Sequence, residues 1–527
     1  MRPHLPIADR TLPALLARHA ADRPDATFIV DSGGKLSWGR ALELARAQSA
    51  AFHRLGIERG DTVALILDNR RELLASWFGL AAMGAVEVPV NPANVGERLV
   101  HILNQARCRE IVVQSEYLER LEAVADRLPA IRRAVVVGDT QSERFETIPF
   151  SALEVDARRS PVVDVRFADP AAVMFTSGST GPAKGVVLSH GQHYTNGHQP
   201  TSLFGIGPGD TVHVCLPLHH NMAQGYGVCV GLVSGAAVRI APRFDADAFW
   251  DDVRANGSSI LSFVGALLVL LAKRAPRADD WDNPLRVGFG VPIPADLHES
   301  FEERFGVRLV HCYGSTEATI VAWNAKGGRK PGAVGRPLPD FDVCIMSPDD
   351  EPLPSGEVGE ICVRPRQPSS MFMGYFGDPE STLAAWRNLW FHTGDRGWFD
   401  ADGDLWFSDR IGDVIRRLGE FVSSYEVEQA VVAHPDVQLA AAFGVPSDLI
   451  EEEVMLAVLA REGSRVEPQA LRGWCAERLP RHAVPRFVEL VKELPMTPTG
   501  KIEKFKLRER GVTAATDDAR AAREVLQ

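Results

Sequence analysis

The chain alternates short apolar segments with segments of helical periodicity over residues 11–165. Asp61–Leu67 (DTVALIL) predicts a buried strand, and Ser37–Leu55 before it predicts a helix with Ser37 as its N-cap. Strands that are apolar throughout are typical of parallel sheets, because helices cover both of their faces. The pattern continues to Arg308–Val310, so the sequence predicts an α/β fold built on helix-covered sheets.

The length of 527 residues exceeds what one hydrophobic core supports, so two or more domains are expected. From about residue 332 the apolar segments shorten and alternate with Gly and Pro turns, which is typical of β structure. After residue 413 a compact α+β pattern of roughly 100 residues begins. We therefore predict a large N-terminal domain of two sheets (1–408) with a β-rich subdomain (332–408), a small α+β domain (414–510) and a tail that frays or forms a short helix (511–527).

Two segments carry local predictions. Ile260–Ala272 is the most hydrophobic run, but it is shorter than the ~20 residues of a membrane span, so it predicts a buried helix. Asp400–Asp404 (DADGD) lacks the spacing and the closing glutamate of a calcium-binding EF-hand, so it predicts a hairpin turn.

Composition excludes several classes of function. The net charge is −12 and no basic stripe occurs, which argues against nucleic acid as a partner. The N-terminus lacks the apolar core of a signal peptide, and no segment is suited to an integral membrane span. The seven cysteines are scattered without a C-x-x-C pair, which favours reduced thiols in a cytoplasmic protein and supports neither a disulfide framework nor a zinc site.

The segment Phe175–Gly185 (FTSGSTGPAKG) combines glycines, hydroxyl side chains and one lysine directly after an apolar run. Glycine lets backbone N–H groups approach an anion, Ser and Thr add donors, and Lys184 adds a positive charge. This composition is typical of a phosphate-binding loop, and the alternative is a flexible Ser/Gly linker. The loop matches neither G-x-x-x-x-G-K-[ST] nor G-x-G-x-x-G, so the sequence predicts a phosphate loop of another kind.

Three more clusters combine polar side chains with turns. Tyr313–Glu317 (YGSTE) follows a predicted strand and offers a threonine donor for phosphate and a glutamate as a hard oxygen ligand for Mg²⁺. Asp395, after a Thr-Gly pair, is suited to accept hydrogen bonds from two ribose hydroxyls, and Lys501 follows a Gly turn. Taken singly, the clusters also fit a capped strand end, a turn and a solvated loop.

Together with the phosphate loop and Asp409-Arg410, these clusters resemble the adenylate-forming superfamily: acyl-CoA synthetases, adenylation domains of peptide synthetases, and luciferases. The resemblance covers nearly the whole chain in order and approximate spacing. It implies that a carboxylate attacks the α-phosphate of ATP to give acyl-AMP and pyrophosphate, and that a thiol then displaces AMP. It also implies ATP, Mg²⁺ and coenzyme A as ligands, and residues 409–413 as the hinge of a mobile C-terminal lid domain.

The resemblance assigns roles residue by residue. ATP and AMP are expected to contact Thr176, Ser177, Gly178, Ser179, Thr180, Gly181, Lys184, Gly290, Val291, Pro292, Tyr313, Gly314, Ser315, Thr316, Asp395, Phe407 and Arg410. The expected catalytic residues are Lys501, His220, Thr316 and Glu317, with Glu317 as the metal ligand. The remaining roles fall to an acyl pocket (His220, Val264, Gly265, Gly288, Cys312, Gly314), a CoA tunnel (Gly419, Glu420) and a hinge residue (Gly412).

Within this scheme the loop at 175–185 holds the β- and γ-phosphates, and we expect it to be mobile without nucleotide. Three positions depart from the family pattern. Phe289 replaces a glycine and is expected to crowd the purine or the acyl site, His219 replaces an aromatic residue, and Gly412 replaces a charged hinge residue.

Asn221–Gln224 after His220, and the Gly-Ser-Thr-Glu run at 314–317, are similar to the carnitine/crotonobetaine-CoA ligase branch and related bacterial acyl-CoA synthetases. Gly314 stands where acetate-specific members carry a tryptophan, so a roomy apolar pocket and a medium-sized or bulky acid are expected. Two alternatives remain: an enzyme that loads a carrier-protein thiol, and a nucleotide-binding protein that has lost catalysis. The sequence specifies neither the acid nor the oligomeric state, and it leaves a homodimer open; residues after about 510 are too few for a fused carrier domain.

Overall fold

The structure, a computed structural model, describes residues 3–139, 141–153, 156–176, 183–324, 330, 332–410, 413–417, 420–446, 452–479, 481–497 and 501–519. For residues 295, 296, 409, 410, 414, 416, 420, 421 and 481 only the backbone is described. The chain divides into a large unit (1–176, 183–342 and 364–387) and a second unit that includes residues 343–363 and 388–527. In the described ranges no helix combines the length and apolar character needed to cross a membrane.

Helices and strands alternate through the large unit, and strands dominate the first half of the second unit. The helices are α1 (Leu12–Asp22), α2 (Trp38–Arg54), α3 (Arg71–Met83), α4 (Gly96–Gln105), α5 (Leu118–Glu122), α6 (His190–Phe204), α7 (Asn221–Ala223), α8 (Cys229–Ser234), α9 (Phe249–Ala255), α10 (Gly265–Ala272), α11 (Ala295–Phe305), α12 (Pro379–Ala385), α13 (Ser424–Val432), α14 (Pro468–Ala476) and α15 (Lys504–Arg510), with a π-helical turn at Gln224–Val228. The strands are β1 (Thr27–Asp31), β2 (Gly34–Ser37), β3 (Thr62–Ile66), β4 (Val86–Pro89), β5 (Glu110–Gln114), β6 (Arg133–Val137), β7 (Glu146–Pro149), β8 (Pro170–Phe175), β9 (Gly185–Ser189), β10 (Thr211–Val214), β11 (Ala237–Ile240), β12 (Ile260–Val264), β13 (Val287–Val291), β14 (Arg308–Ser315), β15 (Thr319–Trp323), β16 (Arg336–Pro337), β17 (Phe341–Met346), β18 (Gly359–Pro365), β19 (Gly374–Tyr375), β20 (Trp386–Arg387), β21 (Trp390–Phe399), β22 (Leu405–Arg410), β23 (Val414–Arg417), β24 (Glu420–Ser423), β25 (Val437–Pro446), β26 (Glu452–Ala460), β27 (Phe487–Val491) and β28 (Asp517–Asp518).

Two sheets form the large unit, and both are parallel at their centres. One has the order β16-β15-β14-β13-β12-β10-β11-β1-β2 and the other β19-β9-β8-β4-β3-β5-β6-β7. Antiparallel pairs lie toward the edges, at β1/β2 and β14/β15 in the first sheet and at β8/β9 in the second. The central strands are buried along their whole length, as β3 and β5 show, because helices cover both faces. The predicted α/β architecture of helix-covered sheets is confirmed.

Helix α6 packs between the two sheets and contacts β9 on one side and β15 on the other. It begins at the Ser189 cap, whose hydroxyl accepts a hydrogen bond from the Gln192 backbone N–H at 3.1 Å. Twelve residues from His190 to Thr201 are buried, although many of them are polar. This helix therefore carries hydrogen-bonding groups into the interior next to both sheets.

The second unit contains an antiparallel sheet and a separate α+β body. Strand β21 pairs with β18 and β22, and the DADGD segment forms the turn between β21 and β22, as predicted. The α+β body has the strand order β25-β26-β27-β28, with α13 and α14 packed against its core. Its helix at Ser424–Val432 and strand at Val437–Pro446 have the mixed α and β character predicted for the chain after residue 413.

Two local predictions are wrong. Ile260–Ala272 is not one helix: Ile260–Val264 forms strand β12 between β10 and β13, and only Gly265–Ala272 is helical. A short apolar run has no periodicity that separates a buried strand from a buried helix, so only pairing decides. The tail does not fray or form a helix at Asp517–Asp518, because these residues add strand β28 beside β27.

Candidate active site

The predicted phosphate loop connects β8 and β9, which pair antiparallel with Phe175 opposite Gly185. At the base of the loop the Thr176 N–H donates to the Lys184 carbonyl at 3.0 Å. A Cβ on Gly185 would lie 2.8 Å from the Val173 side chain, so the close approach of the strands requires glycine. Residues 177–182 lie outside the described residues, and with them the roles predicted for Ser177, Gly178, Ser179, Thr180 and Gly181 and the predicted mobility.

Glu317, Tyr375 and Lys184 lie together beside this hairpin. The Tyr375 hydroxyl donates to Glu317 Oε1 at 3.2 Å, and Lys184 Nζ lies 4.9 Å from the centre of the Tyr375 ring. Burial, followed by the negative charge of Glu317, raises the pKa of Tyr375, so its hydroxyl keeps its proton. The half-buried Glu317 carboxylate and the Lys184 ammonium therefore both lie next to Tyr375, close to the base of the loop.

Helix α6 fixes the backbone that carries Glu317. The buried Gln192 amide donates to the Thr316 carbonyl at 2.8 Å, and the Phe372 N–H donates to the Glu317 carbonyl at 2.9 Å. Ser315 Oγ accepts from the Ala318 N–H at 3.1 Å and closes the turn after β14. Gln192 and Tyr375 were not predicted from the sequence, because neither lies in a motif.

Two histidines of α6, His190 and His193, remain neutral. His190 and His193 are fully buried, and burial lowers the pKa of each to about 3. The Leu12 N–H donates to His190 Nδ1 at 3.3 Å. Burying neutral imidazoles avoids the cost of an unpaired charge in the interior.

The backbone predicted to contact adenine lies at the end of β13. A Cβ on Gly290 would clash with the Phe263 carbonyl, so this position requires glycine. Phe289 points to the opposite face, because side chains alternate along a strand, and it stacks on Phe204 at 5.6 Å. Phe289 is therefore a core residue, and the expectation that it crowds the purine beside Gly290 is wrong, whereas its crowding of the acyl site stays a prediction because it shares a face with Val264 and Cys312. Tyr313 is buried on the neighbouring strand β14.

His220 follows a loop that one buried asparagine holds in place. Asn69 Nδ2 donates to the Leu216 carbonyl at 3.0 Å, and its Oδ1 accepts from the Leu218 N–H at 2.8 Å. The rings of His219 and His220 meet edge to face at 4.2 Å, and burial lowers the pKa of His219 well below its usual value. The loop thus places a half-buried imidazole at the start of α7.

The predicted acyl pocket is partly corrected. Val264 and Cys312 lie on one face of the sheet, whereas Gly288 lies on the other, since it pairs with Leu261, three residues before Val264. A Cβ on Gly265 would clash with the Pro292 carbonyl, and one on Gly314 would clash with the Thr319 carbonyl. Backbone therefore fills the space beside these two glycines, and the expectation that Gly314 opens a deep pocket is wrong.

The second unit holds the predicted ribose carboxylate. Asp395 is buried on β21 opposite Arg410 on β22, and its N–H donates to Thr393 Oγ1 at 3.1 Å. Phe407 lies on β22 opposite Gly397, with its ring edge to face with Tyr425 at 5.6 Å. The strand pairing therefore brings together the two positions predicted to share the ribose.

Lys501 is exposed and lies in a turn closed by Thr497. The Lys501 N–H donates to Thr497 Oγ1 at 3.0 Å, and the Thr497 N–H donates to the Lys501 carbonyl at 2.6 Å. Glu420 begins strand β24. The other predicted tunnel and hinge residues, Gly419 and Gly412, lie outside the described residues.

Comparisons with known proteins agree with this arrangement. Residues 16–376 match the AMP-binding enzyme family, and residues 426–501 match the AMP-binding enzyme C-terminal domain. A crotonobetaine/carnitine–CoA ligase of Salmonella arizonae is 31% identical over 468 residues, which cover 87% of this chain and 90% of that protein. A sulfoacetate–CoA ligase of Cupriavidus necator is 31% identical over 94% of this chain and 97% of that protein. The crystal structure of the anthranilate CoA ligase AuaEII with anthranoyl-AMP has the same fold (TM-score 0.86, 24% identity, 96% of this chain and 98% of that chain).

Proposed function

Because the chain belongs to the AMP-binding enzyme family and is an AMP-forming acyl-CoA ligase, we propose that it activates a medium-sized or bulky carboxylic acid. ATP and Mg²⁺ serve the first half-reaction, and CoA accepts the acyl group in the second. The observation that carries the assignment of the ATP site is the Tyr375–Glu317 hydrogen bond, with Lys184 over the same Tyr375 ring, at the base of the phosphate loop. No side chain needs to act as an acyl-carrying nucleophile, because the thiol of CoA accepts the acyl group, so we assign Ser177 and Ser179 as donors to phosphate.

The first half-reaction must bring a carboxylate anion to a polyanion. Lys184 and the N–H and hydroxyl groups of the loop from Thr176 hold the β- and γ-phosphates, which leave as pyrophosphate. Thr316 adds a hydroxyl donor, and Lys501 places an ammonium at the α-phosphate, where charge develops as the acid attacks. His220 lies on the path of the carboxylate and later of the thioester.

Glu317 is the residue that would hold Mg²⁺. This ion commonly uses one or two carboxylates together with substrate phosphates, and the half-buried Glu317 carboxylate, which shares Tyr375 as a neighbour with Lys184, fits that pattern. When bound, Mg²⁺ supplies positive charge to the phosphate oxygens. The Tyr375 hydroxyl restrains one carboxylate oxygen, so the side chain keeps one orientation.

The nucleoside has two groups of proposed contacts, one for adenine and one for the ribose. We assign Tyr313 and the Gly290–Pro292 backbone to adenine, and Asp395 with Arg410 to the ribose. For the second half-reaction the C-terminal domain rotates about Gly412 and places Gly419 and Glu420 beside the pantetheine arm. Such a rotation removes Lys501 from the site once adenylation is complete.

The proposed size of the acid is based on the substrates named for the relatives, and not on Gly265 or Gly314. The two named ligases act on carnitine or crotonobetaine and on sulfoacetate, all of which are larger than acetate. Val264 and Cys312 supply apolar surface on the face where the Ser262 hydroxyl donates to the carbonyl of Met222, two residues after His220. We place the reaction in the cytoplasm, since all seven cysteines are free thiols.

A panel of carboxylic acids, assayed for AMP release that needs both ATP and CoA, tests the proposal. We expect turnover with one or more acids larger than acetate. Turnover of acetate alone would refute the size assignment, and transfer to a holo carrier protein but not to CoA would favour the alternative acceptor. Absence of pyrophosphate exchange with every acid would indicate a protein that has lost catalysis.

A further inference from the structure

Three side chains on neighbouring strands of the second unit converge on one point. Cys362 and His392 face each other across β18 and β21, and Glu360 lies two residues from Cys362 on the same face. His392 Nδ1 lies 2.8 Å from Glu360 Oε2 and 3.4 Å from Cys362 Sγ. Among the described residues this is the group whose ligand atoms all lie within 4.8 Å of one another.

These distances approach those of a metal centre. Bond lengths of about 2.0–2.3 Å to nitrogen, oxygen and sulfur put the ligand atoms of a tetrahedral site roughly 3.3–3.6 Å apart. The separation of Cys362 Sγ and His392 Nδ1 already matches, and Glu360 needs to move by about half an ångström. Cys362 and His392 are buried, so they keep their relative positions without a metal.

The surrounding groups also suit a metal site. Gly394 donates its N–H to Glu360 Oε1 at 3.0 Å, which orients the carboxylate. On the far side of the imidazole, Asp350 Oδ1 lies 3.7 Å from His392 Nε2. A histidine that binds a metal through one nitrogen commonly turns its other N–H toward a carboxylate.

We propose that Glu360, Cys362 and His392 bind a divalent transition-metal ion, and that Zn²⁺ is preferred. Thiolate and imidazole ligands select Zn²⁺ over Mg²⁺, which prefers oxygen. On binding, the Cys362 thiol releases its proton to solvent, and the imidazole binds through Nδ1 with its hydrogen on Nε2, facing Asp350. Solvent completes the fourth position, from the side of the half-buried Glu360.

The site is separate from the Mg²⁺ role of Glu317, and it does not depend on the proposed substrate. It joins β18 to β21 directly before Gly394 and Asp395. A bound ion would therefore stiffen the backbone next to the predicted ribose carboxylate. No zinc motif marks this site in the sequence, because the three ligands come from two strands about thirty residues apart.

Titration of the reduced, metal-free, full-length protein with Co²⁺ tests the proposal directly. We expect one equivalent to bind, with the absorption bands of tetrahedral Co²⁺ and a thiolate-to-cobalt charge-transfer band, and Zn²⁺ to abolish both. Cys362→Ser should lose the charge-transfer band. Cys344→Ser is the matched control, because Cys344 is a half-buried thiol on strand β17 of the same unit, and it should keep the band.

Two further measurements keep the test decisive if Cys362→Ser folds poorly. Zn²⁺ should raise the thermal unfolding midpoint of the wild type and of Cys344→Ser. Asp350→Asn should keep the charge-transfer band but bind Co²⁺ about 10–100-fold more weakly. A wild type without a charge-transfer band, or an unchanged band in Cys362→Ser, would overturn the proposal.

Discussion

The large unit and the second unit stabilise their functional residues by opposite electrostatic means. In the large unit, α6 buries neutral amides and imidazoles, and Gln192 holds the backbone of Thr316 and Glu317. In the second unit, the segment after Lys501 is held by ionised groups: Lys504 Nζ lies 2.8 Å from Glu428 Oε1 and 3.7 Å from Asp413 Oδ2. The stability that neutral buried groups provide falls when pH protonates them, whereas the stability that an ion pair provides is lost when one partner is removed.

The ion pairs of the second unit link its elements to one another. Arg508 Nη2 donates to Asp413 Oδ1 at 2.7 Å, and the Lys504 ammonium donates to Ser424 Oγ at 2.8 Å. Asp413 directly follows the predicted hinge residue, and Lys504 follows Lys501 by three residues. The network therefore connects the start of the C-terminal domain with the segment that carries the predicted catalytic lysine.

The largest expected effect is a loss of adenylation, and it tests whether Lys501 of the second unit acts in that half-reaction. Lys501→Ala should slow adenylation by about 10²–10³-fold, because it removes a charge that acts in the transition state. Thioester formation from supplied acyl-AMP should stay close to the wild-type rate. Pyrophosphate exchange and single-turnover thioester formation measure the two halves, with Lys492→Ala, an exposed lysine of the same unit, as control. Equal losses in both halves would refute the assigned role.

The next effect tests the large unit. Glu317→Gln should lower adenylation by about a hundredfold, because a neutral amide is a poor Mg²⁺ ligand. Tyr375→Phe removes only the restraining hydrogen bond, so its loss should stay below about tenfold. A higher Mg²⁺ concentration should restore only part of the adenylation rate in either variant, and it should restore more in Glu317→Gln than in Tyr375→Phe. If Tyr375→Phe lowered the adenylation rate as much as Glu317→Gln does, Tyr375 would have a role in the chemistry itself.

The ion-pair network predicts a local loss of stability. Lys504→Met removes the ammonium that faces the Glu428 carboxylate, while Arg508 still pairs with Asp413, and it should lower the free energy of opening near β25 by about 2 kcal/mol. Strand β25 is affected because the Ala442 N–H donates to Glu428 Oε1 at 2.8 Å. Hydrogen exchange of the full-length protein measures this. The control Arg510→Gln breaks a more exposed pair with Glu489 and should cost less than about 1 kcal/mol.

The neutral His190 and His193 of α6 predict a dependence of stability on pH, which is small near neutral pH and grows as the pH falls. The pKa of His193 is lowered to about 3 in the folded state, so the unfolded chain binds a proton that the folded chain does not. Stability should therefore fall as pH falls from about 6.5 toward about 3, by ~1.4 kcal/mol per pH unit for this residue. His193→Gln should flatten the slope by that amount in urea titrations, whereas His53→Gln, an exposed control, should not.

Local patterns in the sequence predicted the elements that local interactions specify. Ser37 caps α2 as expected, its hydroxyl accepting from the Arg40 N–H at 3.3 Å, and the strand at Thr62–Ile66 lies within the predicted Asp61–Leu67. The prediction failed at Ile260–Val264, where an apolar run pairs as a strand. It also failed at Asp517–Asp518, which pair with β27 and where Asp518 Oδ2 lies 2.9 Å from Arg486 Nη2. Both outcomes depend on partners that are distant in sequence.

The residues of the candidate site also divide into those that short motifs predicted and those that only the structure shows. Glu317, Lys184 and Asp395 were found from short motifs, because phosphate and ribose need particular side chains next to turns. Tyr375 was not found: it reaches Glu317 only because β19 pairs with β9. The inference from Gly314 failed for a related reason, since sequence shows that a side chain is missing but not that backbone fills its space.

The amino-acid sequence by itself determined the family of this protein, its α/β character and the motifs from Thr176 to Lys501. These depend on residue types at short spacing, and that information is local. Only the tertiary structure decided that Gln192 and Tyr375 hold Glu317, that Phe289 is a core residue, and that Glu360, Cys362 and His392 share one point. Strand register sets those distances, and register is determined by the burial and pairing of the whole sheet.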